Sequence, residues 1–175
     1  MLRILAGQYK GQAIQTVSTA PYRPTQSRIR KSLFDTLGDI TGRNFLDAYA
    51  GSGIIGFEAC SRGVRQLISI EKHPKVISLL KKNSIKFKNS DIKIIKNDVM
   101  KVLPIRNTFD IIFSDPPYQI LEDTEYTKSL IQKCIDSLSN DGIYILEIAK
   151  ELAQFQADRR KDFGDTTLLF WRNKS

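Results

Sequence analysis

Phe45-Leu46-Asp47-Ala48-Tyr49-Ala50-Gly51-Ser52-Gly53-Ile54-Ile55-Gly56 is the stretch whose reading decides the fold. Phe45 to Tyr49 reads as a buried strand, and Ile54 to Arg62 as a helix closed by Gly63. The turn between them fits G-x-G-x-x-G in its required setting, after a strand and opening a helix. Gly51 and Gly53 have no side chains, so the backbone can approach a ligand closely there. Gly56 lets the helix lie close to the strand.

The next strand, Leu67 to Ile70, ends at Glu71, 20 residues after Gly51. A carboxylate there can accept hydrogen bonds from ribose hydroxyls. Turn and carboxylate together indicate a nucleoside-containing cofactor. They leave a dinucleotide and S-adenosylmethionine both open.

Working outward, strands and helices alternate. Pro74 to about Lys88 reads as a helix with Val76, Leu79, Leu80 and Ile85 on its apolar side. Ile92–Ile95 is a strand ending at Asn97-Asp98, and Phe109–Phe113 is a strand ending at Asp115-Pro116-Pro117. Glu125–Leu138 is a helix and Gly142–Leu146 a strand. Apolar strands alternating with helices predict an α/β fold with a mostly parallel sheet covered on both faces. Phe155 to Arg172, with Gly164-Asp165 between two extendable runs, predicts a terminal antiparallel hairpin.

Upstream, Arg3–Gly7 and Ala13–Val17 read as two short strands, followed by Pro21 and Pro24. A helix then starts near Thr25 or Ser27, either of which can cap it, and stops at Gly38. Ile29, Leu33 and Leu37 form its apolar stripe. Residues 1–43 are expected to be a small extension and residues 44–175 the cofactor-binding domain.

The chain has 175 residues, 41% of them hydrophobic, enough for one core without staples. Cys60 and Cys134 cannot make a disulfide framework. No apolar run is long enough to span a membrane, and Met1-Leu2-Arg3-Ile4-Leu5 is too short for a signal peptide. The expectation is a cytoplasmic monomer. The net charge of +8 points to an anionic partner, with nucleic acid the first candidate. The first 43 residues hold seven Lys/Arg against two acids, a net +5, and the other 132 residues hold the remaining +3.

Ser114-Asp115-Pro116-Pro117-Tyr118 ends the fourth sheet strand, where strand carboxyl ends line the ligand crevice. Two prolines fix the backbone and remove two N–H donors. The Asp115 carboxylate and the Pro116 carbonyl remain as acceptors, beside the aromatic face of Tyr118. Such a loop suits a flat group carrying an exocyclic NH2. Two acceptors on its hydrogens favour a more tetrahedral nitrogen and aim its lone pair at an electrophile. Catalysis of this kind is positioning plus electrostatics.

Asp47 to Gly53, Glu58 to Gly63, Glu71, Asp98 and Asp115 to Tyr118 resemble a class I S-adenosylmethionine-dependent methyltransferase with a Rossmann-like sheet. Arg23-Pro24-Thr25-Gln26-Ser27-Arg28-Ile29-Arg30-Lys31-Ser32-Leu33-Phe34, with Arg3 to Gly11 before it, narrows the resemblance. It is to the bacterial RsmD-like family of 16S ribosomal RNA guanine-N2 methyltransferases.

The resemblance implies that Asp47, Gly51, Ser52 and Gly53 hold the methionine part of S-adenosylmethionine. It implies Glu71, with Lys72 beside it, at the ribose, and Asp98 with Val99 at the adenine. Asp115, Pro116, Pro117 and Tyr118 would hold the target guanine. Arg23, Thr25, Arg28 and Arg30 would face RNA or the cofactor mouth. The partner implied is 16S rRNA in the small ribosomal subunit. The family often has Gly-Gly where this chain has Ala6-Gly7.

Three rivals are weaker. An adenine-N6 DNA methyltransferase shares the Asp-Pro-Pro-Tyr loop but usually needs a target-recognition segment, for which this chain has no long insertion. A non-catalytic RNA-binding module has no use for an intact loop and Glu71. A dinucleotide oxidoreductase has no role for the second motif. His73 lacks neighbours at metal-ligand spacing, and neither cysteine lies in the Asp115 loop.

Overall fold

The computed structural model describes residues 2–16 and 25–173. Near the N-terminus, β1 (Leu2–Arg3) pairs antiparallel with β2 (Ala13–Ile14), and α1 follows (Ser27–Leu37). Then come β3 (Asn44–Ala48), α2 (Ile54–Ser61), β4 (Gln66–Glu71), α3 (Pro74–Ser84) and β5 (Asp91–Lys96). The chain continues through α4 (Val99–Val102), β6 (Phe109–Ser114), α5 (Tyr118–Leu121) and α6 (Thr124–Ile135). It ends with β7 (Leu138–Ala149), β8 (Arg159–Phe163) and β9 (Thr166–Arg172).

Seven strands form one sheet in the order β5-β4-β3-β6-β7-β9-β8. The first five are parallel to their neighbours, whereas β9 runs antiparallel to β7 and β8 antiparallel to β9. The predicted Rossmann-like α/β sheet with its terminal hairpin is therefore present. Strand order reverses between β3 and β6. That reversal opens a crevice at the strand carboxyl ends.

Successive side chains of a strand point to opposite faces. Phe45, Ile111, Phe113, Ile143 and Ile145 pack with Ile29, Leu33 and Phe34 of α1 and with Ile55 and Phe57 of α2. Leu46, Ile112, Tyr144 and Leu146 pack on the other face with Leu130 and Cys134 of α6. Ile4 and Ile14 join the first cluster, so the hairpin β1–β2 is continuous with the main core.

Several boundaries differ from expectation. α6 stops at Ile135, and Leu138 opens β7 instead of closing the helix. β7 is long because a register shift between Phe109 and Ile111 lets it pair with β6 before and after an irregularity. α3 ends at Ser84, so Ile85 is 70% exposed instead of facing the core. Neither Thr25 nor Ser27 caps α1: Gln26 holds the cap position without a side-chain bond, and Ser27 is the first helical residue. Among the described residues, no helix is long and apolar enough to cross a membrane.

Candidate active site

A cleft of about 730 Å³ opens at the carboxyl ends of the central strands. Gly51, Glu71, Lys72 and Val99 line one side, and Asp115, Pro116, Pro117 and Tyr118 the other. Elements far apart in sequence thus bring both motifs to one space. A recess of about 30 Å³ adjoins it, lined by Thr25, Asp47, Gly51, Ser52 and Asp115.

Positive φ angles make the glycine turn, 52° at Gly51 and 77° at Gly53, with Tyr49 also left-handed at 65°. A Cβ on Gly53 would collide with Leu80 and Phe57. A Cβ on Gly56 would come within 2.8 Å of Leu67, as close helix–strand packing requires. Asp47 Oδ2 accepts from the Gly56 N–H at 3.0 Å. Asp47 therefore anchors the start of α2 from below. Burial pushes its carboxyl up to about 8, with the Gly56 bond opposing and the charge of Glu71 adding to the rise.

Glu71 locks the turn from the other side. Its Oε2 accepts from the Gly51 N–H at 3.0 Å, and its Oε1 from the Lys72 and His73 N–H groups at 2.8 Å each. A carboxylate has about four lone-pair sites, so three such bonds leave one for a ligand. Asp98 caps α4 through the Met100 N–H at 2.9 Å and lies 3.5 Å from Lys72 Nζ. Its neighbours Asn97 and Val99 line the cleft.

Opposite, Pro116 is buried while Pro117 and Tyr118 are exposed. Tyr118, at 39% exposure, presents its ring to the cleft, and its hydroxyl lies 3.2 Å from Thr166 Oγ1 on β9. The hydroxyls of Ser114 and Tyr144, 2.8 Å apart, tie β6 to β7 beneath the loop. Burial raises the Asp115 carboxyl well above the usual range, and the charges of Glu147 and Asp47 add to the rise. Contact with the Thr25 hydroxyl opposes it.

Two of the four residues expected to face RNA or the cofactor mouth are interior. Arg30 is only 1% exposed. Its guanidinium lies 3.7 Å from the fully buried Glu58 and donates to Arg3 O at 3.0 Å and Ser27 Oγ at 3.2 Å. Glu58 also accepts from the Leu5 and Ala6 N–H groups. Arg30 thus joins α1, α2 and the first strand and presents nothing to solvent. Thr25 is buried as well, and its hydroxyl donates to Glu147 Oε2 at 3.1 Å. It belongs to the floor of the site, not to an RNA-facing surface. Arg28 is exposed, its Nη2 3.4 Å from Phe163 O. Arg23 lies outside the described residues.

Glu147 is the functional candidate that the sequence reading missed. It is 5% exposed and lines the cleft. Its signal was a lone charge inside the apolar strand Ile143-Tyr144-Ile145-Leu146-Glu147-Ile148-Ala149.

The comparisons with known proteins agree with this geometry. The family described as "Conserved hypothetical protein 95" matches residues 2–172. A Buchnera aphidicola protein named ribosomal RNA small subunit methyltransferase D is 36% identical over 83% of this chain and 75% of its own length. The Escherichia coli protein of that name is 31% identical over 81% of this chain and 68% of its own. Among solved structures, a Thermus thermophilus hypothetical protein superposes with a TM-score of 0.83 at 30% identity, covering 98% of this chain and 99% of its own. An RNA methyltransferase from Salinibacter ruber, solved with S-adenosyl-L-homocysteine, has the same fold, with a TM-score of 0.67 at 16% identity over 87% of this chain and 94% of its own.

Proposed function

The chain belongs to the family described as conserved hypothetical protein 95, and we propose that it is an rRNA methyltransferase that uses S-adenosylmethionine to methylate the exocyclic N2 of a guanine in 16S rRNA of the small subunit. The curated relatives named above support the reaction class and the RNA. The guanine nitrogen is our extension from the Asp115 loop.

The residues present fit the cofactor. The side-chain-free turn at Gly51 and Gly53 leaves room for close approach, and Glu71 keeps one acceptor site after its three backbone bonds. Glu71 and Lys72 would hold the ribose, Val99 and Asp98 the adenine, and Gly51, Ser52 and Gly53 the methionine end, with Asp47 anchoring their turn. When bound, the cofactor supplies a methyl group activated by a sulfonium.

The chain's own residues do the rest. The target guanine must be unpaired or leave its stack to enter the cleft. Tyr118 stacks on it. Asp115 and the Pro116 carbonyl accept its amino hydrogens and aim the nitrogen lone pair across the cleft. The low dielectric around Asp115 strengthens these bonds. One observation carries the reading: the Asp115–Tyr118 loop faces the Glu71-locked glycine turn across a single cleft.

Tritiated S-adenosylmethionine offered with unmethylated small subunits, free rRNA and DNA tests it. Label in rRNA, lost in Asp115→Ala with cofactor binding intact, is expected. Label in DNA alone, or binding without transfer, would overturn it.

A further inference from the structure

Glu147 is a buried carboxylate inside the cleft that nothing above uses. Ser114 pairs with Leu146 in the β6–β7 register, so Glu147 follows on β7 just as Asp115 follows on β6. Phe113 and Ile145 share one face of the sheet, and alternation carries Asp115 and Glu147 to that same side. Thr25 comes down on them there. Its hydroxyl donates to Glu147 Oε2 at 3.1 Å, and Thr25 lines one small recess with Asp115. A hydroxyl with one proton can donate once while accepting another hydrogen. Donating to Glu147, Thr25 is free to accept from Asp115.

We propose that Asp115, the Thr25 hydroxyl and Glu147 form a proton path that removes the proton released from the methylated amine. The inference rests on the methyl-transfer reading above. As the nitrogen lone pair bonds to the methyl carbon, the carbon–sulfur bond breaks and its electron pair returns to sulfur. The nitrogen then holds one proton in excess. That proton passes to one Asp115 oxygen while the hydroxyl proton of Asp115 moves to Thr25 Oγ1 and the Thr25 proton moves to Glu147. Glu147 ends protonated, and solvent later takes the proton as the cleft opens to product release. Asp115 keeps the same charge throughout, so no second carboxylate charge develops beside the substrate.

The groups facing the path fit this role. Asp47 on β3 lies in the same recess as Thr25 and Asp115. Tyr49 lines both that recess and the cleft, and Tyr118 on α5 and, across the cleft, Glu71, Lys72 and His73 are the other titratable groups around it. Burial, and after it the negative charge of Glu147, keep a proton on Asp115, which the path needs in order to run.

Single-turnover methyl transfer to unmethylated small subunits, measured across pH and with S-adenosylhomocysteine affinity as a control, tests the path. Thr25→Val and Glu147→Gln should each slow transfer about 10–100-fold with affinity intact. Thr25→Ser should recover most of the rate. The Thr25→Val/Glu147→Gln double variant should be no slower than the worse single one, because a path is broken only once. In Glu147→Gln, the alkaline limb of the profile should move to lower pH, since Asp115 loses its charged neighbour and gives up its proton sooner. A purely structural Glu147 would leave that limb in place.

Wild-type rate in Thr25→Val, additive losses in the double variant, or an unmoved limb would overturn the path. The identity of the methylated nucleoside in the wild-type product judges the guanine reading separately. If another amine carries the label, that reading falls while the variants still decide the path. If the wild-type protein transfers nothing, both fall.

Discussion

Arg28 and Arg30 are two residues apart on one helix and have opposite fates. Arg28 is exposed, whereas Arg30 is sealed against Glu58. Burial lowers the Arg30 guanidinium's pKa, and the charge of Glu58 opposes that shift. Removing one partner of a buried pair leaves the other charge uncompensated, at a cost of about 3–5 kcal/mol. Arg30→Ala should therefore lower the melting temperature by many degrees. Arg28→Ala should leave it nearly unchanged while reducing rRNA methylation. Thermal melts beside methylation assays check both, and a stable Arg30→Ala would show that the pair carries little. The sequence made both arginines look like RNA contacts because net charge does not reveal which side chains face inward. Ile29, Leu33 and Phe34 define the buried stripe of α1, and Arg30 lies beside Ile29 against the first strand. Only the path of residues 2–6 across α2 makes that flank interior.

At the scale of elements, the strand–turn–helix around Gly51 was legible because each glycine there answers a local demand. Positive φ at Gly51 and Gly53 and close packing at Gly56 exclude other residues. The Asp115 loop was legible for a similar reason, since two prolines after a strand leave one backbone course. The ends of α3 and α6 were not. Their apolar periodicity runs on past Ser84 and Ile135, and tertiary pairing of Leu138 with Phe109 decides where the helix stops. Glu147 escaped notice because its partner, Thr25, lies 122 residues away.

The turn also sets a pH dependence. Asp47 rises from 3.8 to about 8 on burial, so the folded chain binds that proton more tightly than the unfolded chain. Stability from this group is full below the ordinary carboxylate range and is lost as pH climbs through about 8. Asp115 acts in the same direction. Asp35, Asp39 and Asp162 are lowered, so their contributions are complete above 3.8 and do not vary across this window. The melting temperature should fall between about pH 5 and about pH 8. Asp47→Asn, which can still accept from Gly56, should flatten that fall. An equal fall in both proteins would contradict this assignment.

For the whole molecule, the charge of +8 has a second concentration beyond the first 43 residues. Arg30, Lys31 and Arg43 are each paired with a carboxylate. Residues 72–101 hold nine lysines against two acids. Lys75, Lys81, Lys82, Lys88, Lys93 and Lys96 are exposed on α3, the following turn and the edge strand β5, beside the open Ile85. Among the described residues, none of these six lysines makes an ion pair. Lys72, which lines the cleft, stands just before α3 in the chain. Each phosphate neutralised on single-stranded RNA steepens the salt dependence of binding by about 0.7 in log–log slope. Lys81→Glu with Lys82→Glu should weaken subunit binding several-fold and reduce that slope, with cofactor affinity unchanged. An unaltered slope would remove this face from the RNA path.

The central claim is that the Asp115–Tyr118 loop presents a guanine amino group to the cofactor side of the cleft. Digesting rRNA methylated by the purified protein, and identifying the labelled nucleoside by chromatography and mass spectrometry, tests it most directly. The account predicts N2-methylguanosine from small-subunit rRNA. N6-methyladenosine, or label on a base carbon or ribose oxygen, would contradict it.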